Sequence, residues 1–181
     1  TNTPSKPSKE QIINQAFKFH SQGNISEAAK YYQYFINQGL NDHRVLSNYG
    51  AILQGLGKSE EAEKWFRKAI ELNPDFAKAH ANLGNILSNL GKLKEAEIST
   101  RKAIKLEPNL SSGYINLGSI LLERGNLQEA KKCIKKAIQI NPKDAEAYLN
   151  LSIIQYIFNQ ISECLINIEI AYTIKNKSKA I

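Results

Sequence analysis

The sequence predicts an all-α protein built from five helical hairpins, and three observations lead to this prediction. Pro74, Pro108 and Pro142 follow one another at a constant interval. Small residues recur with the same period at three positions of the repeat. Apolar residues spaced three and four apart place one face of each predicted helix in a core. Such a period indicates stacked repeats, each of which is a single supersecondary unit.

The interval between these prolines divides the chain into five repeats of equal length. We expect a flexible N-terminal lead over 1–8, a single array over 9–178 and a short C-terminal end over 179–181. The predicted repeats are 9–42, 43–76, 77–110, 111–144 and 145–178.

Three kinds of position define each hairpin, and they are numbered from the first residue of each repeat. Small residues at positions 8, 20 and 27 allow the two helices to approach closely. In the third repeat these residues are Gly84, Ala96 and Ala103. Position 15 holds only Gly or Asn, which tolerate the left-handed backbone of a turn between helices. Its five residues are Gly23, Gly57, Gly91, Gly125 and Asn159. Position 19 is Glu in every repeat, where a negative charge suits the first turn of the second helix.

The third and fourth repeats, AHANLGNILSNLGKLKEAEISTRKAIKLEPN and GYINLGSILLERGNLQEAKKCIKKAIQINPK, resemble the tetratricopeptide repeat family. The resemblance extends over about 9–178 and is strongest in the three middle repeats. It implies a right-handed superhelical solenoid in which the first helices line a concave groove and the second helices form the convex back. The regularity of the repeats is similar to that of bacterial members of the family.

The groove implied by this resemblance carries an asparagine at position 6 of every repeat. These residues are Asn14, Asn48, Asn82, Asn116 and Asn150. A primary amide both donates and accepts hydrogen bonds, so a row of amides can hold a peptide by its main chain. The alternative interpretation, which stays open, is that the asparagines only support the framework. Further polar groove candidates are Lys78, Asn85 and Ser112.

The last repeat is apolar nearly all round, although a terminal repeat needs a polar outer face for solubility. We therefore expect a covering partner, which is either a further helix or domain or a second copy of the chain. The residues predicted to make this apolar contact are Leu149, Ile153, Tyr156, Ile157, Ile166 and Ile170.

Catalytic and metal-binding patterns do not emerge from the sequence. His20, His43 and His80 lie in different repeats at different positions, and Cys164 takes a small-residue position. Cys133 lies among lysines and is interpreted as a surface cysteine. We expect no enzyme activity, no cofactor and no metal.

The net charge of +7 comes mainly from lysines of the predicted convex back in the third and fourth repeats. A few glutamates are interspersed among these lysines and no aromatics are interleaved with them, so a solvated face is favoured over a nucleic-acid site. No apolar run is long enough to cross a membrane, and two cysteines make no disulfide framework. We expect a cytoplasmic protein that binds neither nucleic acid nor membranes.

The favoured function is a non-enzymatic protein-interaction module that binds an extended peptide or a partner helix in its groove. One alternative is a scaffold or self-association module that uses the apolar last repeat. Another is the substrate-recognition arm of a larger enzyme, such as a glycosyltransferase or sulfotransferase.

Overall fold

The structure, a computed structural model, describes residues 7–177, and these residues form ten α-helices without a strand. The first five are α1 (Lys9–Ser21), α2 (Ile25–Asn37), α3 (His43–Gly55), α4 (Ser59–Leu72) and α5 (Ala77–Asn89). The second five are α6 (Leu93–Leu106), α7 (Ser111–Glu123), α8 (Leu127–Ile140), α9 (Ala145–Ile157) and α10 (Ile161–Lys177). Two helices fall in each predicted repeat, which confirms the all-α class and the helix-turn-helix pairs. The predicted end over 179–181 and most of the predicted lead lie outside the described residues.

Packing divides the chain into two compact units, the first ending at Ala79 and the second beginning at His80. The division falls inside α5, so the first turn of that helix belongs to the first unit. The single array over 9–178 therefore stays a prediction. None of the helices in the stretch 7–177 combines the length and the apolar character needed to span a bilayer.

Several helices begin at side chains that cap their free N–H groups. Ser8 and Gln11 form a reciprocal capping box at the start of α1. The Asp42 carboxylate accepts hydrogen bonds from the backbone N–H groups of Arg44 and Val45 at the start of α3. A carboxylate at this position also interacts favourably with the helix dipole.

The turns within the hairpins adopt the left-handed backbone that position 15 predicts. The φ angles of Gly57, Gly91 and Gly125 are 75°, 72° and 77°. Asn159 takes the same place in the last repeat with a φ of 57°. Because an L-residue with a Cβ is strained there, and Asn less so than most, the choice of residue follows from the backbone. The prediction for this position is confirmed.

The small residues at position 8 mark the closest approach of the two helices of a hairpin. A Cβ placed on Gly84 would lie 2.0 Å from Oγ1 of Thr100 on α6. A Cβ placed on Gly118 would lie 2.4 Å from Cδ1 of Ile134 on α8. The prediction of close packing is confirmed, since neither contact leaves room for a methyl group.

The core of the first unit is aromatic at its N-terminal end. Tyr32 and Phe35 of α2 are completely buried and pack with Ile13 of α1 and with Val45 and Ile52 of α3. The large Phe35 at a usually small position is thus a core residue, which the burial of aromatic area stabilises.

The core of the second unit is aliphatic and continues from hairpin to hairpin. Ile134 of α8 is completely buried and belongs to one cluster with Leu121 of α7 and Ile154 of α9. α8 packs against both α7 and α9, and α9 packs in turn against α10. Within the second unit, α6 and α8 are each covered by the first helix that follows, α7 and α9 respectively, and this relation decides the exposure of α10.

Candidate functional site

The asparagines of position 6 occupy equivalent places on the first helices. Asn48, Asn82, Asn116 and Asn150 are half-buried, whereas Asn14 on α1 is exposed. In the second unit, α5, α7 and α9 carry one polar surface, which we name the amide surface. Its residues are Asn82, Asn85, Asn116, Ser119 and Asn150.

Hydrogen bonds link neighbouring first helices of the second unit across the amide surface. Nδ2 of Asn116 donates to the backbone carbonyl of Ala81 at 3.0 Å, and Oδ1 of Asn116 accepts from Asn85 at 3.4 Å. Nδ2 of Asn150 donates to Oγ of Ser119 at 3.0 Å, and that hydroxyl donates to the Ile115 carbonyl. These bonds tie each first helix to the preceding one.

Asn48 makes a comparable bond in the first unit. Its side chain forms a hydrogen bond with Tyr32, whose hydroxyl also lies 2.9 Å from Nδ1 of His20. Burial raises the pKa of Tyr32 to about 12, against the opposing effect of Asn48. Burial and the charge of Lys78 lower the pKa of His20. Three position-6 asparagines thus serve the framework, and the amides are held in fixed orientations.

The remaining polar candidates differ in their exposure to solvent. Lys78 and Ser112 are exposed, and Asn85 is half-buried beside Asn116. In the last turns of α5 and α7, the Ser88 hydroxyl donates to the Glu123 carboxylate at 3.5 Å. The five residues that define the amide surface itself carry no charge.

The apolar residues predicted in the last repeat fall into separate groups. On α9, Ile153, Tyr156 and Ile157 are exposed, with 67% of Tyr156 accessible, whereas Leu149 is half-buried. On α10, Ile166 is exposed and Ile170 is half-buried. Ile166 and Ile170 lie one repeat after the exposed Lys132 and Lys136, so they take places that face solvent in the fourth repeat.

A second apolar row on α10 was missed by the sequence reasoning. Its residues are spaced four, three and four apart and therefore share one face of the helix. They are Ile161, Leu165, Ile168 and Tyr172, all exposed, and we name them the α10 stripe. The repeat alignment could have identified these four residues. Each lies one repeat after a residue of α8 that is at least half-buried, so each takes a position that the fourth repeat covers.

The titratable groups point to structural roles. Within the described residues, no group of three or more His, Cys, Asp or Glu side chains is placed to hold a metal ion. The ring of His43 packs edge-on against Phe76, with centroids 4.8 Å apart. The prediction that Cys133 is a surface cysteine is wrong, because it is buried between helices of the second unit. Burial, reinforced by Glu129, raises the pKa of its thiol despite the opposing charge of Arg101. Cys164, which takes a small-residue position of the repeat, is also buried.

Hairpins with a left-handed turn, glycine contacts between helices and a constant repeat length define a class of helical repeat proteins. Three family models, each described as tetratricopeptide repeat, match residues 43–76, 65–98 and 111–144. The chain belongs to the tetratricopeptide repeat family, whose repeats are protein-interaction modules.

Solved structures with the same fold are similar to the chain over most of its length. MamA 41-end from Desulfovibrio magneticus RS-1 is 18% identical with a TM-score of 0.74, and the match covers 96% of this chain and 98% of that one. TTC0263 from Thermus thermophilus, a thermophilic TPR protein, is 14% identical with a TM-score of 0.75 and 88% coverage of both chains. YrrB, described as a TPR protein with an unusual peptide-binding site, is 20% identical with a TM-score of 0.67, covering 93% of this chain and 87% of that one. No curated protein is similar enough in sequence to count as a relative.

Proposed function

We propose that the protein is a non-enzymatic interaction module that binds an extended peptide along the amide surface of its second unit. The observation that carries this proposal is the row of half-buried amides held by bonds from one first helix to the next. A partner helix bound on the same surface is the alternative occupant.

Fixed amides suit the recognition of a peptide main chain. A primary amide offers two N–H donors and two acceptor positions. The bonds to Ala81 and Asn85 use one donor and one acceptor position of Asn116. The remaining positions can serve a peptide carbonyl or N–H, and the fixed orientation lowers the entropy lost on binding.

The apolar side chains of α9 extend this surface and supply a preference for one kind of side chain. Ile153 and Tyr156 lie on the same helix as Asn150 and are exposed. An apolar residue of the peptide that covers them removes their apolar surface from water. This burial stabilises the complex by about 25 cal/mol for each Å². The expected ligand is therefore an extended segment with an apolar residue near one end.

The test begins with selection of peptides from an unbiased display library on the immobilised protein. Affinities of the selected peptides are then measured for the wild type and for variants with Ile153→Ser or Tyr156→Ser. Ile166→Ser is the matched control, since it removes an exposed isoleucine from α10 instead. We expect affinity to fall about tenfold in the α9 variants and to stay unchanged in the control.

Main-chain recognition is tested on the peptide itself. N-methylation of single peptide bonds removes an N–H donor without changing a side chain, so it weakens binding where an amide accepts that hydrogen. A selection that yields no specific peptide, or peptides that bind all three variants equally, would contradict the proposal.

A further inference from the structure

The two helices of the last hairpin meet through a buried pair of amides. Gln155 of α9 is 7% exposed and Asn167 of α10 is 8% exposed. Nδ2 of Asn167 donates to Oε1 of Gln155 at 2.6 Å and to the backbone carbonyl of Glu163 at 3.0 Å. Because Glu163 lies one turn earlier in the same helix, the orientation of the Asn167 amide is fixed from within α10.

The earlier hairpins fill the same two positions without amides. Positions 11 and 23 of the repeat face each other across a hairpin. In the first repeat they hold Phe19 and Tyr31, whose ring centroids are 5.4 Å apart. The later pairs are Leu53 and Trp65, Leu87 and Ser99, and Leu121 and Cys133. A hairpin of this kind therefore forms without an amide pair at this place.

The face that α10 turns toward α9 is the least apolar of three. Its buried residues are Cys164, Asn167 and Ala171. The α10 stripe lies one residue further along, and thus about 100° around the helix. Ile166 and Ile170 lie about 100° to the other side. Burial of apolar area against α9 therefore does not select the face that carries Asn167.

The buried amide of Gln155 does select that face. Its place in the core is set by α9, because Leu151 and Ile154 of that helix belong to the cluster with α8. If α10 turned either apolar row inward, the Gln155 amide would lose its hydrogen bond, and an unpaired buried amide is costly. Between Cys164 and Ala171, the other polar side chain is that of Glu169, whose charge would have to be buried.

We propose that the hydrogen bond between Gln155 and Asn167 fixes the rotation of α10 about its own axis. A single buried polar contact can specify one packing among several apolar ones, at a cost in stability. Loss of this bond should therefore release the orientation of α10 without unfolding the chain. The amide surface takes no part in this contact, so this inference and the proposed peptide site can fail independently.

Cys164 is a native reporter of this rotation, because it lies on the inward face and is 7% exposed. The test variant combines Gln155→Leu with Asn167→Leu, which leaves no buried amide without a partner. Alkylation of Cys164 is measured at pH 8 in the folded protein, in a Cys133→Ala background. We expect the rate to rise about tenfold over that of the protein with the amide pair, because rotated packings expose the thiol for part of the time.

Two controls separate rotation of α10 from general loosening of the second unit. In a Cys164→Ala background, the same double substitution should leave the slow alkylation of Cys133 unchanged, since that thiol is buried among α7, α8 and α9. Replacing Leu165 and Ile168 by Ser removes the α10 stripe as a competing face. This change should restore slow alkylation of Cys164 in the test variant.

A second variant, Gln155→Leu with Asn167→Ser, copies the pair Leu87 and Ser99 of the third repeat and should behave in the same way. The proposal is overturned if Cys164 reacts as slowly in the folded variants as with the amide pair, because the amides would then be an ordinary core contact. It is also overturned if Cys133 is accelerated equally, or if removal of the stripe does not slow Cys164. Loss of the cooperative urea transition in both variants would overturn it as well, because the pair would then be needed for folding itself.

Discussion

The contact between Gly84 and Thr100 sets the distance between α5 and α6, and the substitution Gly84→Ala tests it. An added Cβ would lie 2.0 Å from Oγ1 of Thr100 and 3.1 Å from the carbonyl oxygen of Ala96. Thr100 is completely buried and donates to that same carbonyl at 2.8 Å. Rotating its side chain away from the new methyl group would break this hydrogen bond.

The expected magnitude follows from two opposing effects. Replacing Gly by Ala inside a helix stabilises it by about 1 kcal/mol. Overpacking a core costs about 1–3 kcal/mol, and a contact this short calls for the upper part of that range. We expect Gly84→Ala to lower the free energy of unfolding by about 1–2 kcal/mol, measured by urea unfolding followed by circular dichroism.

Two further variants separate the steric effect from helix propensity. Gly55→Ala on α3 adds a methyl group where nothing lies within 4 Å, so it should raise stability by about 0.5–1 kcal/mol. Thr100→Ala removes the clashing oxygen, so Gly84→Ala should cost about 1 kcal/mol less in that background. Equal stabilisation by the two glycine substitutions, or strictly additive effects of Gly84→Ala and Thr100→Ala, would refute the reasoning.

Three more predictions concern turns, pH and thiol reactivity. Gly57→Ala, only two residues from Gly55, should lower the free energy of unfolding by about 1 kcal/mol in the same urea assay, because its φ is 75°; a gain in stability there would contradict the turn assignment. Burial alone would raise the pKa of Asp42, but its hydrogen bonds with Arg44 outweigh burial and lower that pKa. The stability that ionised Asp42 contributes is therefore present above its unfolded pKa of about 4 and is lost as the pH falls through the lower folded value. Asp42→Asn should be about 1 kcal/mol less stable than the wild type at pH 7 and should approach it in acid, so a constant difference between pH 7 and pH 2.5 would count against this pairing. Cys133 is buried and the pKa of its thiol is raised, so the folded protein should react slowly with an alkylating agent. In a Cys164→Ala background at pH 8, alkylation of Cys133 should become much faster when the protein is unfolded in urea. Equal rates in the folded and unfolded protein would show that the thiol is accessible.

The course of the chain was predictable because its signals are local and repeated. A left-handed turn needs Gly or Asn whatever surrounds it, and Gly57, Gly125 and Asn159 adopt that backbone. A close helix contact needs a missing side chain, which Gly84 and Gly118 provide. Such requirements recur from one repeat to the next, so each repeat supports the interpretation of the others.

The candidate site was predictable only in part. The position of the asparagines on the first helices follows from the register, but their hydrogen-bond partners do not. Asn116 donates to the carbonyl of Ala81 in the preceding repeat, and Asn48 forms a hydrogen bond with a tyrosine of the preceding second helix. Partners that distant in sequence meet only when one hairpin packs on the next.

By itself, the sequence determined the repeat, the helix pairs and their turns, because backbone conformation and helical periodicity act within a few residues. Only the tertiary structure decided which side of each helix is covered. α10 is apolar nearly all round, so its composition does not distinguish Ile166, at a solvent-facing position, from Ile168, at a position that the preceding repeats bury. Cys133 was misjudged for the same reason, since Lys132, Lys135 and Lys136 near it in sequence are exposed while its own side chain packs in the core. Burial depends on the neighbouring hairpin, and that neighbour is defined by packing.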